Sequence, residues 1–259
     1  MKNLVYTLFP AGLITILIGL TSCSNHHASN ELIVGTSTGF PPYELLDPQG
    51  GIIGFDIDVA QKLADKLGKQ LVIKDMAYDS LLMSLKQGKI DLILAGVSIT
   101  KTKLAEIAMV HYQGTPLKSL PLLFWGHVPD GVTTVEDLAT VENKTVCAQT
   151  GTIQESIIKK YSFLTVKNME NIPDLIMDIK HGKSIAAVLE PSVVTALQQQ
   201  MPEIKVLDLP LKEDEQGFGN GIGINKSNKK LIEQVQSAIQ QMKDDGTLAT
   251  LEKQWFKGV

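Results

Sequence analysis

Glu190 stands directly after the apolar run Ala186-Ala187-Val188-Leu189 and directly before Pro191. An acid in that place either caps the helix that Pro191 opens or reaches a cation beyond the strand end. A second chemical feature is the helix start at Thr152-Ile153, where free N–H groups and the dipole favour an anion. A third is the segment Ser98-Ile99-Thr100-Lys101-Thr102-Lys103, with hydroxyls and, at Lys103, an ammonium group. Signals of enzyme chemistry are missing from the chain. There is no Walker loop, no H-E-x-x-H and no C-x-x-C. His111, His127 and His181 are scattered and lack motif context. The run Gly217-Phe218-Gly219-Asn220-Gly221-Ile222-Gly223 lacks the spacing and the strand–turn–helix setting of a dinucleotide fingerprint. Cys147 lies in an apolar strand-like run with no base supplied nearby, as expected of a buried, unreactive thiol.

Strands and helices alternate to position these residues. Leu32-Ile33-Val34-Gly35-Thr36 reads as a short strand. Phe55, Val59, Leu63 and Leu67 recur every four residues, a helical face with Asp56 and Asp58 at its start and Gly68 at its end. Residues 70–74 are strand-like, and Leu81, Leu82 and Leu85 mark a second helix that Gly88 ends. Residues 90–95 form a continuous apolar run interrupted by Asp91, the pattern of a buried parallel strand. Further strands are expected at 120–125, 145–148 and 186–189. Helices are expected at 152–161, after the cap Asn171 with Pro173 in its first turn, from Pro191, and over 228–245 with Gly246 as the stop. Such β/α alternation implies α/β lobes with mainly parallel sheets.

The N-terminus sets the compartment. Lys2 precedes the apolar run 13–20, which ends in Leu20-Thr21-Ser22-Cys23. A charged start, a short apolar core and small residues before a Cys read as a secretory signal at 1–22, with a lipobox that makes Cys23 the acylated residue. The run is shorter than the roughly 20 apolar residues a span needs, so a lipid tether is expected rather than a transmembrane anchor. Residues 23–30 read as a polar linker, and His26 and His27 as part of that spacer. With Cys23 lipidated, Cys147 has no disulfide partner. The remaining length suits two medium lobes or one large domain. A net charge of −4 argues against a nucleic-acid binder, and no cofactor is expected.

Order and spacing across residues 32–112 resemble solute-binding protein family 3, the polar-amino-acid-binding proteins of bacterial ABC importers. The resemblance rests on Phe40-Pro41-Pro42-Tyr43, on Gly54-Phe55-Asp56-Ile57-Asp58, on Gly88 through Thr100, and on Gly151-Thr152-Ile153-Gln154-Glu155. It implies a two-lobed periplasmic binding protein fold, each lobe a mainly parallel sheet flanked by helices. It puts lobe 1 at 31–114 plus 215–259, lobe 2 at 119–209, and two hinge crossings at 115–118 and 210–214. A monomer that hands its ligand to a membrane permease driven by an ATPase is implied as well, outside the cytoplasm or at the cell surface.

A free amino acid brings a carboxylate and an ammonium into a dry cleft, and each charge must be paired there. By the resemblance, the family's arginine for the carboxylate is replaced by Lys103, a point charge without the bidentate fork. The backbone at Thr152 and Ile153 would assist. Glu190 takes the place of the family's acid for the ammonium, with Ser98 Oγ and the Gly96 carbonyl sharing it. Phe40 and Tyr78 align with the positions that stack on the ligand side chain. Basic-amino-acid binders commonly carry an acid where Ser37 stands. Ser37 and Gln149 offer hydrogen bonds but no charge, and where Glu44 points cannot be read from the sequence.

All 24 basic residues are lysine. Ordinary usage would include on the order of ten arginines in a chain of this length. A protein made when arginine is scarce would avoid needing the nutrient it collects. The expected ligand is therefore arginine, ahead of other basic, polar or acidic amino acids. A codon bias toward lysine is the bland cause. Two rival functions stay open: a cyclohexadienyl dehydratase on the same fold, with Glu190 as general acid, and a surface lipoprotein with no transport role.

Overall fold

The computed structural model describes residues 30–256. The expected signal peptide, Cys23 and the His26-His27 pair lie outside the described residues. The chain opens with β1 (Glu31–Thr36), β2 (Leu45–Leu46) and β3 (Ile52–Ile53). There follow α1 (Phe55–Leu67), β4 (Gln70–Asp75), α2 (Tyr78–Lys86), β5 (Leu92–Ile93), α3 (Lys101–Glu106) and β6 (Ala108–Gln113). A second series runs β7 (Ser119–Trp125), β8 (Thr145–Gln149), α4 (Ile153–Ile158), β9 (Thr165–Met169), α5 (Ile172–Lys180), β10 (Ala186–Val188), α6 (Pro191–Gln200) and β11 (Ile204–Pro210). The chain closes with β12 (Asn220–Ile224), α7 (Lys229–Asp244) and α8 (Thr247–Trp255).

Two five-stranded sheets result, ordered β4-β1-β5-β12-β6 and β11-β7-β10-β8-β9. Within each, one strand opposes the other four: β12 is antiparallel to both β5 and β6, and β7 to both β10 and β11. These are the strands by which the chain enters the second sheet and re-enters the first. The expected α/β architecture with mainly parallel strands is present, and the reversals come from the crossings.

Helices cover both faces of the sheets, so alternate residues along a strand serve different cores. Leu32 and Val34 join one hydrophobic cluster while Ile33 joins another. Leu120, Leu122 and Phe124 face one side of β7 and Leu123 the other. On α1, Phe55, Val59 and Leu63 are fully buried, each worth about 1.5–3 kcal/mol relative to exposure. Gly68 closes this helix in the left-handed conformation. Asn171 and Asn228 cap α5 and α7 through their side chains.

Two local differences from the sequence pattern have clear causes. The apolar run 90–95 is buried as expected, yet its ladder covers only Leu92 and Ile93. Asp91 explains part of this, because its carboxylate accepts the Ile33 N–H at 2.9 Å and replaces a ladder bond. Helix α8 is not among the helices expected from the sequence. It is held from outside by the Trp255 indole, which donates to Asp58 at 2.7 Å.

Candidate functional site

The C-terminal ends of β1 and β5 and the starts of α4 and α6 meet between the two sheets. Gly96 is the pivot on the first-sheet side. Its φ of +54° favours glycine, and a Cβ there would stand 2.4 Å from a Phe40 ring carbon. Phe40 therefore lies flat against this turn. Asp56 fixes the turn from below, accepting the Gly96 N–H at 2.8 Å and the Tyr112 hydroxyl at 2.6 Å. Burial pushes the Asp56 carboxyl up to about 7.

Eight of the ten expected ligand-contact residues line one enclosed space: Phe40, Tyr78, Gly96 and Ser98 on one side, Gln149, Thr152, Ile153 and Glu190 on the other. Gln154, Val188 and Leu189 complete it. Its volume is about 20 Å³, so the two walls are nearly in contact. Elsewhere between the sheets a Cβ on Gly39 would lie 3.4 Å from Pro173 Cδ, and one on Gly151 3.4 Å from Asp79 Cα. A larger cavity of about 770 Å³ is bordered by Thr115, Leu117, Gly217 and Asn220 and shares Ser98 and Glu190 with the first.

Ser37 is buried but outside the wall of the small cavity. Lys103 is also outside it, although its ammonium sits 3.3 Å from the Tyr78 hydroxyl and 5.6 Å from that ring's centre. The Thr152 hydroxyl is already used. It donates to the Gln149 carbonyl at 2.7 Å and accepts the Glu155 N–H. The Gln149 amide donates to the Glu170 carbonyl. At this helix start the first-turn N–H groups at Ile153 and Gln154 remain for an anion.

Glu190 occupies the cap position of α6 but makes no capping bond. One of its oxygens lies 3.4 Å from Ser192 Oγ, and the other has no hydrogen-bond partner among the described residues. Burial pushes its carboxyl up to about 7. Glu44 is the residue whose place the sequence hid. Its backbone carbonyl is bonded to the N–H groups of Gly39 and Phe40, and it is fully buried. Both carboxylate oxygens lack partners among the described residues. Burial, with the charges of Asp56 and Asp75 behind it, drives this carboxyl well above the usual range. Among the described residues no group of three or more His, Cys, Asp or Glu is arranged to hold a metal ion.

Residues 32–258 match the model for bacterial extracellular solute-binding proteins, family 3. A probable ABC transporter arginine-binding protein, ArtJ of Chlamydia trachomatis, is 35% identical over 227 residues, covering 88% of this chain and 86% of the relative. The arginine-binding extracellular protein ArtP of Bacillus subtilis is 29% identical over 254 residues, 94% of each chain. Among solved structures, an ancestral arginine-binding protein bound to arginine superposes with a TM-score of 0.77 at 30% identity, over 89% of this chain and 100% of that one. The ancestral amino-acid-binding protein AncCDT-1, a precursor of cyclohexadienyl dehydratase, gives 0.77 at 26% identity, over 88% and 96%. With its two-lobed α/β fold and a match across nearly all of the described residues, the chain belongs to the bacterial extracellular solute-binding proteins, family 3.

Proposed function

We propose that the protein captures L-arginine between its lobes and delivers it to the membrane permease of an ABC importer. One observation carries the choice of ligand: Glu190 lines the aromatic cavity with a buried carboxylate oxygen unpartnered among the described residues, and Glu44, bridged through its backbone to Phe40, is buried with both carboxylate oxygens unpartnered there. An unpaired buried acid is costly, and a ligand with two cationic groups relieves both. The α-ammonium pairs with Glu190, with Ser98 beside it. The guanidinium stacks between Phe40 and Tyr78 and reaches Glu44, the acid that compensates for Ser37. Lys103 leaves the Tyr78 ring to meet the carboxylate, with the N–H groups of Ile153 and Gln154. Helix α4 has six residues, so its contribution is these N–H groups rather than a long dipole.

The walls must part to admit an amino acid. The lobes, 31–114 plus 215–259 and 119–209, rotate about crossings at 115–118 and 210–214, and ligand held by both walls favours the closed form through its differential affinity. Cys23 anchors the chain to a membrane by lipid. The complete lack of arginine suits a protein needed when arginine runs short.

Thermal unfolding against the twenty amino acids tests the reading, because a ligand of the native state raises the melting temperature. The largest shift should come with arginine and a smaller one with lysine or ornithine. A shift with glutamine or an acidic amino acid alone would replace arginine as ligand. The raised pKa of Glu190 also suits a general acid, so the dehydratase reading is checked by incubation with prephenate and arogenate. Turnover of either would overturn the transport assignment.

A further inference from the structure

Ser192 is the connecting point between Glu190 and a polar junction at the ends of β6 and β12. Its hydroxyl oxygen is 3.4 Å from Glu190 Oε1 and 3.3 Å from Tyr43 Oη. Both separations exceed an ordinary O–H···O bond, and a serine has one proton for two acceptors. The Tyr43 hydroxyl is itself a junction. It accepts from the Asn220 amide at 2.9 Å and lies 3.1 Å from Gln113 Oε1, while Asn220 also donates to Gln113 at 3.0 Å. Gln113 ends β6, where the chain leaves the first sheet, and Asn220 begins β12, where it returns. Tyr43 is buried on the first-sheet side, and Ser192 belongs to α6 on the second.

We infer that Ser192 and Tyr43 form a relay through which the charge on Glu190 ties the two lobes together at the hinge. The inference rests on Glu190 being the ammonium acceptor. A neutral Glu190 exerts no pull, so Ser192 donates to Tyr43 and Tyr43 donates to Gln113. Arrival of the ligand ammonium ionises Glu190, whose proton leaves to solvent. Ser192 then turns its proton to the carboxylate and becomes an acceptor for Tyr43. The chain Tyr43 to Ser192 to Glu190 is now charge-assisted and spans both lobes. Gln113 keeps its bond from Asn220, so no buried group is orphaned. Ligand capture at the front is thus converted into a stronger cross-lobe bond behind it. The titratable groups bordering the same two cavities are Tyr43, Tyr78, Tyr112, His111, Lys243 and Glu252.

Titration calorimetry with arginine on wild type, Ser192→Ala, Tyr43→Phe, Glu190→Gln and the combinations with Glu190→Gln tests the relay. Ser192→Ala and Tyr43→Phe should each weaken binding roughly fivefold. Neither should cost anything further in the Glu190→Gln background. Equal losses in both backgrounds, or no loss in either, would overturn the relay while leaving the site assignment standing. Unchanged affinity in Glu190→Gln alone would overturn the ammonium assignment itself. Should that variant bind too weakly to titrate, small-angle scattering of arginine-saturated Ser192→Ala and Tyr43→Phe decides. A larger radius of gyration than wild type supports the relay, and an identical one rejects it.

Discussion

Charge matching governs what single residues contribute to the proposed site. Lys103 is partly exposed and rests on Tyr78, so it is free to move to an incoming carboxylate. Glu44 cannot move to solvent, because it is fully buried. These two residues should therefore fail in different ways. Lys103→Ala should weaken every amino acid the protein binds, by roughly 2 kcal/mol, since any such ligand has a carboxylate. Glu44→Gln should weaken arginine by a similar amount and leave glutamine unaffected, since only a cationic side chain needs the acid. Calorimetry with both ligands on both variants checks this, and equal losses of arginine and glutamine in Glu44→Gln would remove Glu44 from the side-chain site. Most of the proposed contact residues were legible as types in the sequence. Glu44 was visible there only as a nearby acid, because a side chain's direction depends on how its loop is folded. Here that loop is closed by bonds from Gly39 and Phe40 to the Glu44 carbonyl.

At the scale of elements, α1 does more than cover a sheet. Its periodic apolar face was readable, and so was the preference for acids in its first turn. Only the packing shows that Asp56 turns inward to hold the Gly96 N–H, so the helix start positions a wall of the cavity. The Gly96 turn itself has no room for a side chain. Gly96→Ala would combine a left-handed backbone with a collision against Phe40. It should destabilise the protein by about 1–3 kcal/mol and lower arginine affinity by displacing the ring. Urea unfolding and calorimetry on one preparation measure both. Loss of stability with affinity intact would separate Phe40 from the ligand. Glu190 gives the parallel lesson on the second sheet. An acid before a helix-opening proline fits a capping role equally well, and in the fold it holds the cap position without a side-chain capping bond, which leaves its carboxylate for the proposed ammonium.

For the whole molecule, the buried acids make the ligand-free state sensitive to pH. Asp56 and Glu190 are raised from 3.8 and 4.5 to about 7. Both bind protons more tightly when folded than when unfolded. Their contribution is full below the unfolded values and is lost as pH rises through 7. Ligand-free stability from these groups should fall between about pH 4 and 7, by roughly 3 kcal/mol for Glu190. The proposed pairing of arginine with Glu190 needs the carboxylate form, so at pH 6 arginine binding should release protons. Unfolding free energies at pH 4.5 and 7.5, and binding enthalpies in two buffers of different ionisation heat, measure the two effects. Glu190→Gln should flatten the first and reduce the second. A wild type whose binding enthalpy is independent of buffer would mean that Glu190 is already ionised without ligand.

Apolar periodicity, glycine stops and asparagine caps are local properties, and they determined the β/α alternation, six of the sheet strands and most helix limits from the sequence alone, but not β6, β9, β11 or β12. Residue types at spaced motifs determined the family resemblance and the majority of the cavity wall. The tertiary structure decided what depends on distant parts of the chain meeting. It brought Tyr43, Gln113, Ser192 and Asn220 into one junction across as many as 177 positions. It also buried the Glu44 carboxylate without a hydrogen-bond partner among the described residues and parked Lys103 on Tyr78. Such pairings have no local signature, because the free energy of a buried charge is set by every group around it and not by its neighbours in sequence.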